Sequence, residues 1–204
     1  MTKIYQAAEQ NGRSMIEMLG VLAIIGVLSI GGISGYSKAM AKYKINKTVD
    51  QVSMLITSIR TAFGNQNSYY GLTTTKAIDY DLVGNDLTLG STNSLTNAYS
   101  GTVTIEARTS TGAACATNYC PAFAVIYTNL DRQSCAVIAS SDWGGSAASG
   151  LYSIKINGDD GKHTWSGTAN TGDGLPIGYD KAMSECTGEG GGKYATASIE
   201  WIYY

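Results

Sequence analysis

Apolar positions follow two different patterns along the first third of the chain. Met18 to Ser37, MLGVLAIIGVLSIGGISGYS, runs for 20 residues without a charge. As a helix rising about 1.5 Å per residue, it reaches about 30 Å, the thickness of a bilayer's hydrocarbon core. From Val49 to Phe63, apolar residues instead recur at three- and four-residue steps among polar ones. The pattern predicts one long helix from about Ser14 to Phe63, apolar all round at first and then striped, with Gly64 and Asn65 as its stop.

The rest of the chain has the pattern of short strands between turns. Thr102 to Arg108 alternates with period two, and Asn157-Gly158 suits a tight hairpin turn leading to His163-Thr164-Trp165. Residues 64–101 are rich in Asn, Thr, Gly and Tyr, which predicts a loop with short irregular elements. The other strand candidates are Ala122 to Tyr127, Cys135 to Ala139, Leu151 to Ile156 and Ser198 to Tyr203. We therefore expect an α+β fold in which the helix lies across an antiparallel sheet.

Composition narrows the class of protein. The chain has 25 glycines and only 2 prolines, which is typical of many tight turns between strands. A net charge of −2 gives no basic footprint, so a nucleic-acid partner is not implied. No Cys-x-x-Cys is present, and one histidine does not complete a common zinc set. Four cysteines, all in the polar part, therefore favour disulfides in an oxidising compartment.

The cysteine pairing stays open at this point, because four cysteines allow three arrangements. Proximity favours Cys115–Cys120 as a small local loop, which leaves Cys135–Cys186. The second pair would enclose about 50 residues and contribute about 4 kcal/mol on the loop-entropy model.

Three explanations compete for the apolar run. A cleaved secretory signal would use Ala39-Met40-Ala41, but the run is longer than the usual apolar region of a signal. A plain membrane anchor explains the length and leaves Glu17 unexplained, since a carboxylate in a bilayer costs a few kcal/mol. The third explanation is a pilin-type start, and it accounts for the acid.

The N-terminal segment resembles the start of the type IV pilins, of a type IVb-like kind, and of the related type II secretion pseudopilins. The resemblance is carried by Gly12-Arg13-Ser14-Met15-Ile16-Glu17-Met18-Leu19 and the apolar residues that follow. It implies a leader of residues 1–12, cut by a prepilin peptidase between Gly12 and Arg13, with N-methylation of Arg13. This chain has Arg13 where that family usually has an apolar residue.

The resemblance also implies the role of each later segment. Residues 13–37 would be the transmembrane and filament-core half of the helix, residues 38–63 its amphipathic half, and residues 64–204 a globular α+β head. Glu17 would attract the free α-amine of an adjacent subunit and set its axial register. The implied partners are copies of the chain itself, the prepilin peptidase, the assembly machinery and the lipid of the bacterial inner membrane. A long C-terminal disulfide loop is also usual in this family.

Residues that suggest other chemistry are few. His163, the only histidine, lies in a predicted polar hairpin, where we expect no catalytic role. Asp159, Asp160 and Asp173 are weak candidates for a calcium site, since their spacing fits no EF-hand. The Gly188–Lys193 segment lacks the ending of a phosphate loop. We therefore expect no enzyme activity and no cofactor.

Two further features concern the helix itself. Gly31, Gly32 and Gly35 are its weakest part, since each glycine costs about 1 kcal/mol against alanine, so we expect a flexible point there. The lysines after the apolar run are expected at the junction between membrane and head, against lipid headgroups or acidic residues of neighbours: Lys38, Lys42, Lys44 and Lys47.

The function that these features favour is a precursor in the inner membrane that polymerises into an extracellular pilus, with adhesion, aggregation or motility as the kind of role such filaments have. A major pilin is favoured over a pseudopilin or minor pilin, because two disulfides suit a head exposed outside the cell. The alternatives are a membrane-anchored binding protein or enzyme that never polymerises, and a soluble domain secreted after a cut behind Ala41.

Overall fold

The long helix is present as the apolar pattern predicts. The computed structural model describes residues 15–84, 87–90, 93–116, 118–144, 149–158, 161–164, 173–187 and 196–204. Within them α1 spans Met15–Phe63. The chain divides into two compact units, Met1–Lys42 and Tyr43–Tyr204, and the second unit holds the sheet.

The second unit contains short helices and strands after α1. Its helices are α2 (Thr74–Asp79), α3 (Arg132–Ala139) and α4 (Tyr179–Glu185). Its strands are β1 (Thr88–Leu89), β2 (Leu95–Thr96), β3 (Thr102–Arg108), β4 (Ala122–Leu130), β5 (Leu151–Ile156), β6 (Gly161–Thr164) and β7 (Ala197–Tyr203). The region 64–101, predicted to be a loop with short elements, holds α2, β1 and β2.

All seven described strands form one antiparallel sheet. Their order is β1-β2-β3-β4-β7-β5-β6, so the C-terminal strand β7 lies between β4 and β5. Trp201 of β7 is paired with Val125 on one side and with Ile154 on the other. This arrangement confirms the α+β fold that the alternating segments predict.

The core of this unit lies between the striped half of α1 and one face of the sheet. Val52, Leu55 and Ile59 are almost completely buried on α1. On the sheet, every second residue of the central strands points the same way, because side chains alternate between faces along a strand. Trp201 packs edge-on against Tyr127, with their ring centroids 5.8 Å apart. The apolar stripe of the helix and the period of the strands therefore meet in one core.

The predicted strand Cys135 to Ala139 is wrong. These residues belong to α3, whose N-cap Asp131 accepts a hydrogen bond from the Ser134 backbone N–H at 3.0 Å. A run of five apolar residues fits a buried strand or a buried helix equally well, so periodicity alone does not decide between them. The deciding signal is the acid at the cap position, because it satisfies an N–H that the first helical turn leaves free.

The predicted hairpin after β5 is present, and Asn157 ties it to distant backbone. Asn157 and Gly158 have φ of 55° and 100°, the left-handed region that an Asn-Gly turn supplies. The Asn157 side chain donates to the Glu185 carbonyl at 2.8 Å and accepts from the Ser198 N–H at 2.9 Å. The turn residue therefore joins β7 to the end of α4. Trp165, predicted at the end of this hairpin, lies outside the described residues.

Two disulfides brace the second unit, and they are the pairs that proximity favours. Cys115–Cys120 closes a loop of sequence separation 5, and Cys135–Cys186 one of separation 51. The longer one joins α3 to the residue after α4. Both of its cysteines are fully buried, so this bond lies inside the packed part of the fold.

We predict that the two disulfides contribute unequally to stability. Replacing Cys135 and Cys186 with alanine should lower the free energy of unfolding by about 4 kcal/mol, because the bond restricts a long loop in the unfolded chain. Replacing Cys115 and Cys120 should cost about 2 kcal/mol on the same model. Denaturant titration of the full chain in detergent measures both. An equal or larger loss from the short loop would show that loop entropy is not the main term.

Candidate assembly site on the N-terminal helix

The first half of α1 presents apolar side chains on every side. In the first unit, each large apolar residue from Met15 to Ile33 is at least half exposed. The most hydrophobic window of α1 has a mean hydropathy of 2.2 and none of it is buried. By length and composition, α1 is the one helix among the described residues that is able to cross a membrane. A helix that is apolar all round requires lipid or other helices around it.

Glu17 is the one acid in this apolar surface. It lies in the first turn of α1 and is exposed. Gly12 and Arg13, the predicted cleavage and methylation positions, lie outside the described residues, so their relation to Glu17 stays a prediction.

The glycines of α1 have no steric reason within a single chain. The helix continues through Gly31, Gly32 and Gly35, and a Cβ added at any of the three would meet nothing within 4 Å. Small residues on membrane helices let neighbouring backbones approach closely. Their presence therefore fits packing against other helices, and the flexible point stays a prediction.

The lysines beyond the apolar run fall in both units. Lys38 and Lys42 belong to the first unit and are exposed. In the second unit, the ammonium of Lys44 lies 5.4 Å from the centre of the Tyr99 ring, an attractive cation–π arrangement. Lys44 is therefore already engaged within its own head, whereas Lys47 is in no ion pair among the described residues.

The outer face of the sheet carries a charged network that holds strands together. Arg108 Nη2 lies 2.8 Å from Glu200 Oε1 and 2.7 Å from Glu106 Oε1, which joins β3 to β7 across β4. Lys155 of β5 lies 3.8 Å from the other oxygen of Glu200. Each charge has a partner of opposite sign, so the network is structural.

His163 lies in the interior of the head. The sequence places this residue in a polar hairpin, and in the structure its side chain is fully buried. Nε2 lies 2.6 Å from Glu185 Oε2, and a carboxylate only accepts, so Nε2 carries the proton. Lys181 holds the other oxygen of Glu185 at 3.0 Å, and this hydrogen bond raises the pKa of Lys181. The three residues join β6 to α4.

Two tyrosines of the core keep their protons at any ordinary pH. Burial raises the pKa of the Tyr203 phenol to about 12, against a smaller opposing effect of Arg60. Burial raises the pKa of Tyr127 further still. Both hydroxyls therefore act as neutral parts of the packing.

Comparison with known proteins decides the family. The family model described as PilS N terminal matches residues 42–199. The chain belongs to this family of type IV pilins. The major structural subunit of the bundle-forming pilus of Escherichia coli O127:H6 is 23% identical over 159 residues, which are 78% of each chain. The crystal structure of a type IVb pilin from Salmonella typhi has 21% identity and a TM-score of 0.51, over 77% of this chain and 96% of that one.

The PilS match places the chain among subunits that assemble into pili. The family model begins at residue 42, so it rests on the second unit, whereas the resemblance seen in the sequence rests on residues 12–47. The two observations come from largely different parts of the chain, since they overlap only over residues 42–47. This pilin is therefore a pilus subunit with the fold of the type IVb pilins.

The residues suggested for calcium are only partly described in this pilin. Asp159 and Asp160 lie outside the described residues, and Asp173 is exposed. In the described parts of the chain, no three His, Cys, Asp or Glu side chains gather as metal ligands do. The Gly188–Lys193 segment also lies outside the described residues.

We predict that His163 supports the fold. Replacing it with alanine should lower the free energy of unfolding by about 2–5 kcal/mol, because a buried side chain and its bond to Glu185 are lost together. Lys162→Ala is the matched control on the same strand, since Lys162 is only half-buried, and it should change stability by less than about 1 kcal/mol. Thermal unfolding monitored by circular dichroism compares them, and equal melting temperatures for His163→Ala and the unaltered protein would contradict the structural role.

Proposed function

We propose that this pilin is made as a precursor in the bacterial inner membrane, cut after Gly12 by a prepilin peptidase, and then assembled into an extracellular filament. The observation that supports it is the exposed apolar half of α1, from Met15 to Tyr36. Such a surface is stable in lipid before assembly and among helices afterwards. Leader removal would place a free α-amine four residues before Glu17, at the end of this surface.

Head-to-tail polymerisation follows from the unlike surfaces of each subunit. The α-amine of one copy and Glu17 of another form a heterologous contact, which does not close on itself and so builds an open helical polymer. In the low dielectric of a bundle of apolar helices, a carboxylate needs a cation close by. Arg13 adds a second cation beside the same acid. The subunit then acts as structural material, with no catalytic step of its own.

A major pilin is the kind of subunit we favour. The E. coli relative is named a major structural subunit, and two disulfides brace the head of this chain. Surface roles such as adhesion, aggregation or motility would then belong to the polymer. A type II secretion pseudopilin or a minor pilin is the second candidate, and the abundance of the chain in sheared filaments separates the two.

We predict that leader removal requires Gly12. In the unaltered protein, intact-mass measurement of exported material should give a chain that begins at Arg13 and carries the mass of one extra methyl group. Gly12→Val should leave residues 1–12 in place and abolish filaments, because a β-branched side chain fills the position the peptidase needs. A mature chain that begins at Lys42 would instead indicate secretion. The full precursor mass in the unaltered protein would indicate a plain anchor.

We predict that Glu17 acts in assembly and leaves folding unaffected. Glu17→Ala should reduce filament yield by about ten- to hundredfold, since a charge-assisted contact of about 1.5–3 kcal/mol is lost from each interface. Export and the melting temperature of the head should stay unchanged. Glu17→Asp is the control, because it keeps the charge and should lose less. Normal filament yield from Glu17→Ala would end the register role.

A further inference from the structure

The head half of α1 carries a second ordered face, opposite its buried stripe. Its members recur in alternating steps of four and three residues, and all are exposed except Lys47, which is half-buried. This is the spacing of the contact positions in a coiled coil, where one helix packs along another. We call this face the α1 seam, and its residues are Tyr43, Lys47, Asp50, Met54, Thr57 and Thr61.

The seam is more apolar than its sequence indicates. Thr57 and Thr61 donate their hydroxyls to the backbone oxygens of Ser53 and Thr57, each at 2.8 Å. Since both hydroxyls bond within the helix, their methyl groups remain for contact with another surface. Met54, between them and Lys47, is 57% exposed, and its flexible thioether adapts readily to a partner.

Asp81 forms one wall of this surface. Asp81 and Leu82 face Thr57 and Thr61 across a shallow groove. The position of Asp81 follows from the end of α2, where its N–H bonds to Ile78 and the Leu82 N–H bonds to Ala77, at 2.9 Å each. Such a C-terminal motif requires a left-handed residue, and Asp81 has φ of 54°.

The charges along the seam select one register. Neither Lys47 nor Asp81 takes part in a salt bridge among the described residues, whereas Asp50 lies three residues from Lys47 on the same helix face. Two copies aligned level would place Lys47 against Lys47. A copy shifted by the ten residues that separate Lys47 from Thr57, about 15 Å along the helix, brings Lys47 beside Asp81.

We propose that the α1 seam is a contact between two copies of this pilin, in which Lys47 of one copy pairs with Asp81 of the next and Met54 is buried between them. The proposal rests on assembly into a filament and adds the surface and register of one contact within it. Because the donor and acceptor lie on different parts of the molecule, the contact is heterologous and repeats along a polymer.

Charge reversal tests the pair in the full chain. Lys47→Glu alone and Asp81→Lys alone should each lower the yield of sheared filaments about tenfold, because like charges then face each other. The double variant should recover most of the yield. Asp180→Lys, at an exposed acid on α4, is the matched control and should assemble normally. Unchanged yield in both single variants, or no recovery in the double variant, would overturn the pairing, whereas an unaltered chain that forms no filaments would overturn the proposed function itself.

Cross-linking tests the contact without relying on charge. All cysteines of the described structure are in disulfides, so new ones supply the only free thiols. Filaments that carry both Lys47→Cys and Asp81→Cys should give covalent ladders on mild oxidation, while each single variant gives no species beyond a dimer. A ladder from Lys47→Cys with Asp50→Cys, and none with Asp81→Cys, would show a different register and overturn this one.

Discussion

An apolar helix segment whose side chains are exposed in the described part of the chain is the constraint on which the rest of this molecule depends. Twelve large apolar side chains between Met15 and Ile33 are exposed. Burying them is worth on the order of 20 kcal/mol, which exceeds the 5–15 kcal/mol that stabilises an ordinary domain. The segment therefore has two stable environments, a bilayer and a bundle of like helices. In the proposed function, assembly moves this segment from the first environment to the second.

The second unit has a core that forms within one chain, from the striped half of α1 and the sheet. Its charges on the sheet are paired within the unit, as Arg108 with Glu200 shows, and its longer disulfide joins two fully buried cysteines. The same helix serves both ends of this arrangement, since its buried stripe belongs to the core and its opposite face carries the α1 seam.

Sequence patterns predicted most of the fold because helix and strand periods differ. The long helix and the strands Thr102–Arg108 and Leu151–Ile156 agree with the structure in their bounds or nearly so. α3 was mistaken for a strand because five apolar residues have no distinguishing period. The burial of His163 was not predicted, because its partner Glu185 is 22 residues away and such a contact follows from the packing of α4.

The residues proposed for assembly also divide into those that the sequence reveals and those that it does not. Glu17 stands out in the sequence as a lone acid beside an uncharged run, so its candidacy needed no structure. The seam was not visible in the sequence, because Thr57 and Thr61 count as polar until their hydroxyls are seen bonded to the helix backbone. Asp81 was missed for a related reason, since only the turn that ends α2 brings it beside α1.

A reconstruction of the filament at side-chain resolution tests the central claim most directly. The account predicts that residues Met15 to Tyr36 lie at the filament axis, surrounded by the same segment of other copies, with Glu17 beside a neighbour's N-terminus. Filaments in which this segment is absent or faces solvent would contradict it, because the exposed apolar helix would then have no role in holding the polymer together.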